Sequence, residues 1–150
     1  MPTLGVFAQG SAAKLYLPVR SQQGASLTNG YAVALAIGGN SFDGNAAVLA
    51  ASGTTADLPG FIGVAAADIA NTSYGLVQCW GFALSALISQ VGSSITINQG
   101  NPLFPGALAG GLFSGAAPTY ANGGFKYLLA SNVPAAISAS AYLSGLVRCL

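Results

Sequence analysis

Short apolar runs separated by turn residues recur along the whole chain, and the stretch 61–115 shows the pattern best. There, β-branched and aromatic residues lie between Gly, Asn and Ser, which is typical of β-strands. This pattern predicts three strands, over residues 63–66, 74–81 and 94–97. The segments between them are typical of turns, because Asn tolerates a left-handed backbone, Gly supplies positive φ and Pro cannot join a central ladder. We expect the rest of the chain to be organised around this stretch.

The same pattern predicts further strands on both sides of the central stretch. They fall over residues 31–37, 46–51, 125–130 and 139–150. Gly145 is expected to mark a bulge or a close contact in the last of them. Residues 82–91 fit both helical and strand spacing, and we favour a strand. Turns recur about every 8–15 residues, which favours an all-β fold, an antiparallel sandwich or barrel, over βαβ units.

Residues 14–20 alternate in polarity and contain Pro18, which suits an edge strand or an extended arm. Two interpretations stay open for this segment, a solvated strand and an arm that docks on a neighbouring molecule. We therefore expect one domain, with an irregular N-terminal arm or edge strand at residues 1–30 and a β-rich domain at residues 31–150.

Charged residues are unusually scarce, and this changes the expected surface. The chain has four Lys or Arg and three Asp or Glu residues, or 5% of 150, against roughly 25% in typical soluble domains. Hydrophobic residues make up 53%, and the net charge of +1 gives little repulsion between copies. Burial of part of the surface by partner protein is the interpretation we favour, with a homo-oligomer, a trimer first, as the expected state.

A membrane-spanning helix is not expected. Such a helix needs about 20 consecutive apolar residues, and the best run, 76–91, is interrupted by Gln, Gly and Ser. Neither of its flanks has the Lys/Arg cluster that usually stands at a cytoplasmic end. The first residues also lack the basic and apolar segments of a secretory signal.

The residues that enzymes and cofactor sites use are mostly missing. The sequence contains no His, and its carboxylates, Asp43, Asp57 and Asp68, each lie beside a turn. Four scattered cations make no nucleic-acid patch, and no glycine-rich segment has a phosphate-binding context. We therefore expect no enzyme activity, cofactor, metal, nucleic acid or small-molecule substrate. Cys79 and Cys149 are expected to be reduced and buried, with a bond between them left open.

Trp80 lies in the most strand-like segment, between Cys79 and Gly81. Adjacent strand residues face opposite sides, so Trp80 and Cys79 cannot point into the same layer. The larger area of the aromatic ring places Trp80, by this reasoning, in the core or in a subunit interface. The residues that we consider candidates for an interface are Lys14, Tyr16, Arg20, Trp80, Phe104 and Phe113.

Several short motifs in the central stretch resemble a known family of virion proteins. They are GVA at 63–65, Asp68, GLVQCWG at 75–81, ITI at 95–97 and QGNPL at 99–103. Together they resemble the head decoration, or cement, proteins that coat the capsids of tailed phages, over residues 61–115 and the strand at 139–150. The two cysteines depart from that family, whose members often lack Cys.

The resemblance implies a structural role rather than a reaction. It implies an all-β homotrimer on the capsid surface of a virion, assembled in the host cytoplasm, which clamps neighbouring major capsid protein subunits. Another virion role, as a tail, fibre or coat component, has the same chemistry. The alternative from a different class is a secreted or surface-attached β-rich module for binding or adhesion.

Overall fold

The computed structural model describes residues 13–22, 24–35, 46–49, 61–88, 95–96, 99–100, 102–105, 112–113, 127–129, 136–137 and 141–149. Every regular element in these ranges is a β-strand, and none of the described residues is helical. The predicted all-β class is therefore confirmed. The described residues also include no helix of the length and apolarity that crossing a bilayer requires.

Eleven strands make up the fold. They are β1 (Leu15–Ser21), β2 (Ala32–Leu35), β3 (Ala46–Leu49), β4 (Phe61–Ala65), β5 (Tyr74–Ile88), β6 (Ile95–Thr96), β7 (Pro102–Pro105), β8 (Leu112–Phe113), β9 (Tyr127–Leu129), β10 (Ala136–Ile137) and β11 (Ala141–Arg148). Each predicted strand overlaps one of these elements, and the predicted ends at 36–37, 50–51, 94, 97, 125–126, 130, 139–140 and 150 lie outside the described ranges. The short strands β7, β8 and β10 were not predicted.

The central strand is β5, which runs for 15 residues without interruption. The sequence pattern divided this stretch at Gly81, and the structure joins the two parts through Gly81 at a φ of 95°. The strand favoured for residues 82–91 is confirmed as far as Ile88, and residues 89–91 lie outside the described ranges. Because β5 is long, it pairs with four other strands, β1, β4, β8 and β11.

Nine strands form one sheet, in the order β1-β3-β2-β4-β5-β11-β9-β7-β8. Most of its pairs are antiparallel, and the exceptions are β1–β3 and β5–β8. Additional pairings of β5 with β1 and with β8 close two circuits of hydrogen-bonded strands that share β5. The class is thus antiparallel β, while the more specific expectation of a sandwich or a barrel stays a prediction.

Two apolar cores stabilise the sheet. The first core takes one small or medium-sized residue from each strand of the circuit β1-β3-β2-β4-β5, together with Leu27 and Ile69, whose backbones bond to each other. Those strand residues are Val19, Ala47, Val33, Ala65 and Val77. The second core is formed by β2, β4, β5, β7 and β11. Its buried residues are Ala32, Ala34, Phe61, Val64, Ala83, Ala86, Ile88, Leu103 and Val147.

Strand β1 is an integral part of the sheet. Its residues 15–20 each pair with a residue of β5, and its end at Arg20 and Ser21 also pairs with β3. Residues 1–12 lie outside the described ranges, so the division of the chain at residue 30 stays a prediction. At the other side of β5, the register of β11 shifts between Leu143 and Gly145. The irregularity predicted at Gly145 is thereby confirmed.

Candidate docking face

An exposed apolar surface forms where β1 and the first half of β5 run side by side. In their antiparallel register Pro18 lies opposite Leu76, and Tyr16 lies opposite Gln78. Directly opposed residues point to the same side of a sheet, and so do alternate residues of one strand. Four side chains on this side are exposed and apolar or aromatic. We call Tyr16, Pro18, Tyr74 and Leu76 the β1–β5 face.

The opposite side of the same two strands is buried. Val19 and Val77 point there and are fully covered in the first core, with Leu17 packed against them. Both sides of this strand pair are therefore apolar, but only one is covered by the chain itself. Tyr74 is 66% exposed and Leu76 is 49% exposed. Apolar groups that lie together on a surface in this way often mark a protein-binding site.

The apolar surface continues along the same two strands at Leu15 and Trp80. These residues lie opposite each other, beyond a register shift between Leu15 and Tyr16. Trp80 is 38% exposed, whereas Cys79 is 3% exposed and its Sγ donates a hydrogen bond to the Leu15 carbonyl oxygen at 3.3 Å. The placement of Trp80 in the core is therefore wrong. The small Cys79 side chain takes the buried side of β5 instead, and the larger indole is left on the exposed side.

Three cationic side chains border this apolar surface. Lys14 is exposed and directly precedes Leu15, and Arg148 of β11 lies opposite Trp80. At the other end of the surface Arg20 lies opposite Tyr74, and its Nε donates a hydrogen bond to the Thr72 carbonyl oxygen at 3.2 Å. The surface thus combines an apolar centre with positive charge at both ends.

The structure brings four of the six predicted interface residues to this one region. Lys14, Tyr16, Arg20 and Trp80 all lie on β1, on β5 or directly beside them. The other two, Phe104 and Phe113, pair with each other across β7 and β8, so they belong to a different part of the sheet. The interface role itself stays a prediction for all six.

Sequence reasoning missed four residues of the surface. They are Leu15, Pro18, Tyr74 and Leu76. A usable signal was present, because β5 carries apolar residues at period two on both sides. One stripe has Tyr74, Leu76 and Trp80, interrupted by the buried Gln78, and the other has Val77 and Cys79. Only one stripe can face a given core. The second stripe was therefore a candidate for an exposed binding surface.

In three titratable groups of the described residues, Asp68, Cys79 and Tyr142, the structure shows a hydrogen bond or a shifted pKa. Asp68 accepts a hydrogen bond from the Asn29 N–H at 2.7 Å, so this carboxylate bonds a distant turn and not its own. Burial raises the pKa of the Cys79 thiol, which favours the neutral form. Burial, with Tyr31 and Asp68 nearby, also raises the pKa of Tyr142. Within the described ranges, no three His, Cys, Asp or Glu residues are grouped as a metal ion would require.

Comparisons with known proteins leave the function to be inferred from this geometry. No protein-family model matches the chain. No curated protein matches it either. The β1–β5 face, its Leu15–Trp80 extension and the bordering cations are thus the features on which a functional proposal rests.

Proposed function

We propose that this chain is a structural virion protein, a decoration or cement protein that binds the outside of a phage capsid. In this role the β1–β5 face docks on the major capsid protein and bridges neighbouring subunits. The observation that carries the proposal is an apolar strand surface that the chain leaves uncovered although it has very few charges with which to solvate it.

The physical reasoning starts from burial. A fully buried Leu or Phe side chain stabilises an interface by about 1.5–3 kcal/mol relative to an exposed one. The face and its extension together offer six exposed apolar or aromatic side chains on two neighbouring strands. Tyr74 is 66% exposed and Leu76 is 49% exposed. Docking through this surface therefore supplies affinity without any reaction or cofactor, which is what a cement protein requires.

The resemblance of the central motifs to capsid decoration proteins supports the same proposal. The motif at 75–81 that carries much of the resemblance lies within β5, the strand that also forms the face. A homotrimer on the capsid surface remains the form we propose for the assembled protein. A tail, fibre or coat role would use the same face on a different virion partner.

The test is the location of the protein in cells that produce it. Particles from such cultures are purified on a density gradient, and the chain is quantified by mass spectrometry relative to the major capsid protein. We expect it in the particle fraction at a fixed ratio to the capsid protein. A chain found only in the culture fluid or on the cell surface would contradict the proposal and favour a binding or adhesion module.

A further inference from the structure

We propose that the β1–β5 face recognises a partner protein whose docking surface has an apolar centre flanked by carboxylates. The inference rests on the face that the proposed function uses, and it adds the chemistry of the partner. It follows from where the chain places its few charges, since charge position rather than apolar area decides which partners a surface accepts.

Three of the four Lys and Arg residues in the sequence border this surface. Arg148 lies at the end formed by Leu15 and Trp80, since it pairs with Trp80, and the exposed Lys14 directly precedes Leu15 at this end. Arg20 lies at the Tyr74 end. Residues 74 and 80 of an extended strand are about 20 Å apart, so the positive groups stand at both ends of an apolar strip of that length.

A second copy of the same face does not complement this arrangement. In a two-fold dimer the same patch meets itself, so the cations of one copy would approach those of the other. Among the described residues the chain has one carboxylate, Asp68, and it is bonded to the Asn29 N–H. A partner that presents its own acidic groups removes this repulsion. A homotrimer would then use another part of the surface.

The apolar centre also distinguishes a protein partner from a nucleic acid. Pro18 and Leu76 lie opposite each other in the middle of the surface, where these aliphatic groups separate the aromatic rings of Tyr74 and Trp80 and leave no continuous platform for stacked bases. Three cations over about 20 Å neutralise few phosphates, whereas the affinity of nucleic-acid binding depends mainly on such contacts. A partner protein with apolar groups opposite Leu76 and carboxylates near the cations complements the whole surface.

The chain contains a built-in reporter for this test. Trp80 is the only tryptophan, and it lies on the proposed surface. The probe is a pair of synthetic peptides without Trp, in which Leu and Val occupy alternate positions and Glu or Lys occupies the others. We expect the Glu peptide to shift the emission of Trp80 to shorter wavelength in a saturable titration. The Lys peptide should bind at least about tenfold more weakly, because like charges oppose docking.

Matched variants connect the signal to the surface. Leu76→Ser should weaken binding of the Glu peptide, whereas Leu84→Ser should leave it unchanged, since Leu84 is 76% exposed but lies on the part of β5 that pairs with β11. Lys14→Glu should reduce the preference for the Glu peptide, and Lys14→Arg should keep it. Lys14 is exposed, so neither change removes a buried contact.

Several results would overturn the inference. One is equal binding of both peptides, or no response of Trp80 to either. Another is tighter binding of single-stranded DNA than of the Glu peptide. A third is a peptide-free emission shift that grows with protein concentration and disappears in Leu76→Ser, because a second copy would then be the occupant. If particles bind wild type and Lys14→Glu equally, the inference fails and the proposed function stands. If the Glu peptide binds but particles lack the protein, the inference about the partner's chemistry stands and the proposed virion function fails.

Discussion

Gly81 lies at the point where β5 meets the start of β1, and its replacement by Ala tests this junction. The residue has a φ of 95°, in the region that only glycine adopts readily. A Cβ added there would lie far inside contact distance of the Ala13 carbonyl oxygen and 3.1 Å from the Lys14 Cα. Both neighbours are backbone atoms, so no side chain can rotate out of the way.

The expected cost of Gly81→Ala has two parts. Holding Ala at this backbone conformation costs about 1–2 kcal/mol. Overpacking against the backbone of residues 13–14 adds about 1–3 kcal/mol, so the total is about 2–5 kcal/mol. Gly24→Ala is the matched control, because Gly24 also has positive φ, at 80°, but an added Cβ would meet no atom within 4 Å. It should lose only the first part.

The assay is equilibrium unfolding in urea for the wild type and both variants. We expect Gly81→Ala to lose about 1–3 kcal/mol more than Gly24→Ala, with unchanged dependence on urea. The emission of Trp80 in folded Gly81→Ala should also move to longer wavelength, because the start of β1 has to move away from its partner strand. Equal losses of stability in the two variants would refute the close approach of residues 13–14 to β5.

Three further predictions concern single residues. Thr72 has a φ of 63° in a turn closed by the hydrogen bond from the Ser73 N–H to the Ala70 carbonyl oxygen. Because this conformation is strained for a residue other than Gly, Thr72→Gly should raise the free energy of unfolding by about 1 kcal/mol in the same assay. A lower free energy of unfolding in the variant would contradict the strain. The Ser21 hydroxyl is fully buried and has no hydrogen-bond partner, so Ser21→Ala should stabilise the protein by about 1 kcal/mol, and destabilisation would show an unrecognised bond. Burial raises the pKa of Cys79, so the folded chain holds this proton more tightly than the unfolded chain. The Cys79 contribution to the free energy of unfolding should therefore be constant below the ordinary pKa of a thiol and fall as pH rises from there through the folded pKa. The fall of the free energy of unfolding should then be smaller in Cys79→Ala, and an equal fall in both proteins would contradict this reasoning.

Most of the long strands could be predicted from the sequence, because apolar and aromatic runs there alternate with turn residues such as Gly, Asn, Ser and Pro. β7 and β8 could not, for physical reasons. β7 begins and ends with Pro, which usually argues against a strand, and each Pro is accommodated at a strand end where it pairs with one neighbouring strand, Pro102 with β9 and Pro105 with β8. β8 has two residues, and its pairings join distant parts of the chain.

The candidate site was only half visible in the sequence. The alternation in β5 showed that Trp80 and Cys79 face different ways, but both stripes are apolar, so hydrophobicity did not decide which is covered. That decision depends on the first core, where residues from β1, β2, β3 and β4 pack against Val77 of β5. Such non-local pairings are a property of the fold, and no local pattern in the sequence encodes them.

The most direct test of the docking face adds purified variants back to particles that lack this protein. Wild type, a Tyr74→Ser/Leu76→Ser double variant and the control Leu84→Ser are mixed with such particles and sedimented. The control removes an apolar side chain that is more exposed than either target. It therefore shows whether loss of any exposed apolar group weakens binding, or only loss from the β1–β5 face. We predict that wild type and Leu84→Ser sediment with the particles and that the double variant binds at least about tenfold more weakly, because burying two side chains that are about half exposed is worth about 1.5–3 kcal/mol in total. Equal binding of all three proteins would contradict the assignment of docking to the β1–β5 face.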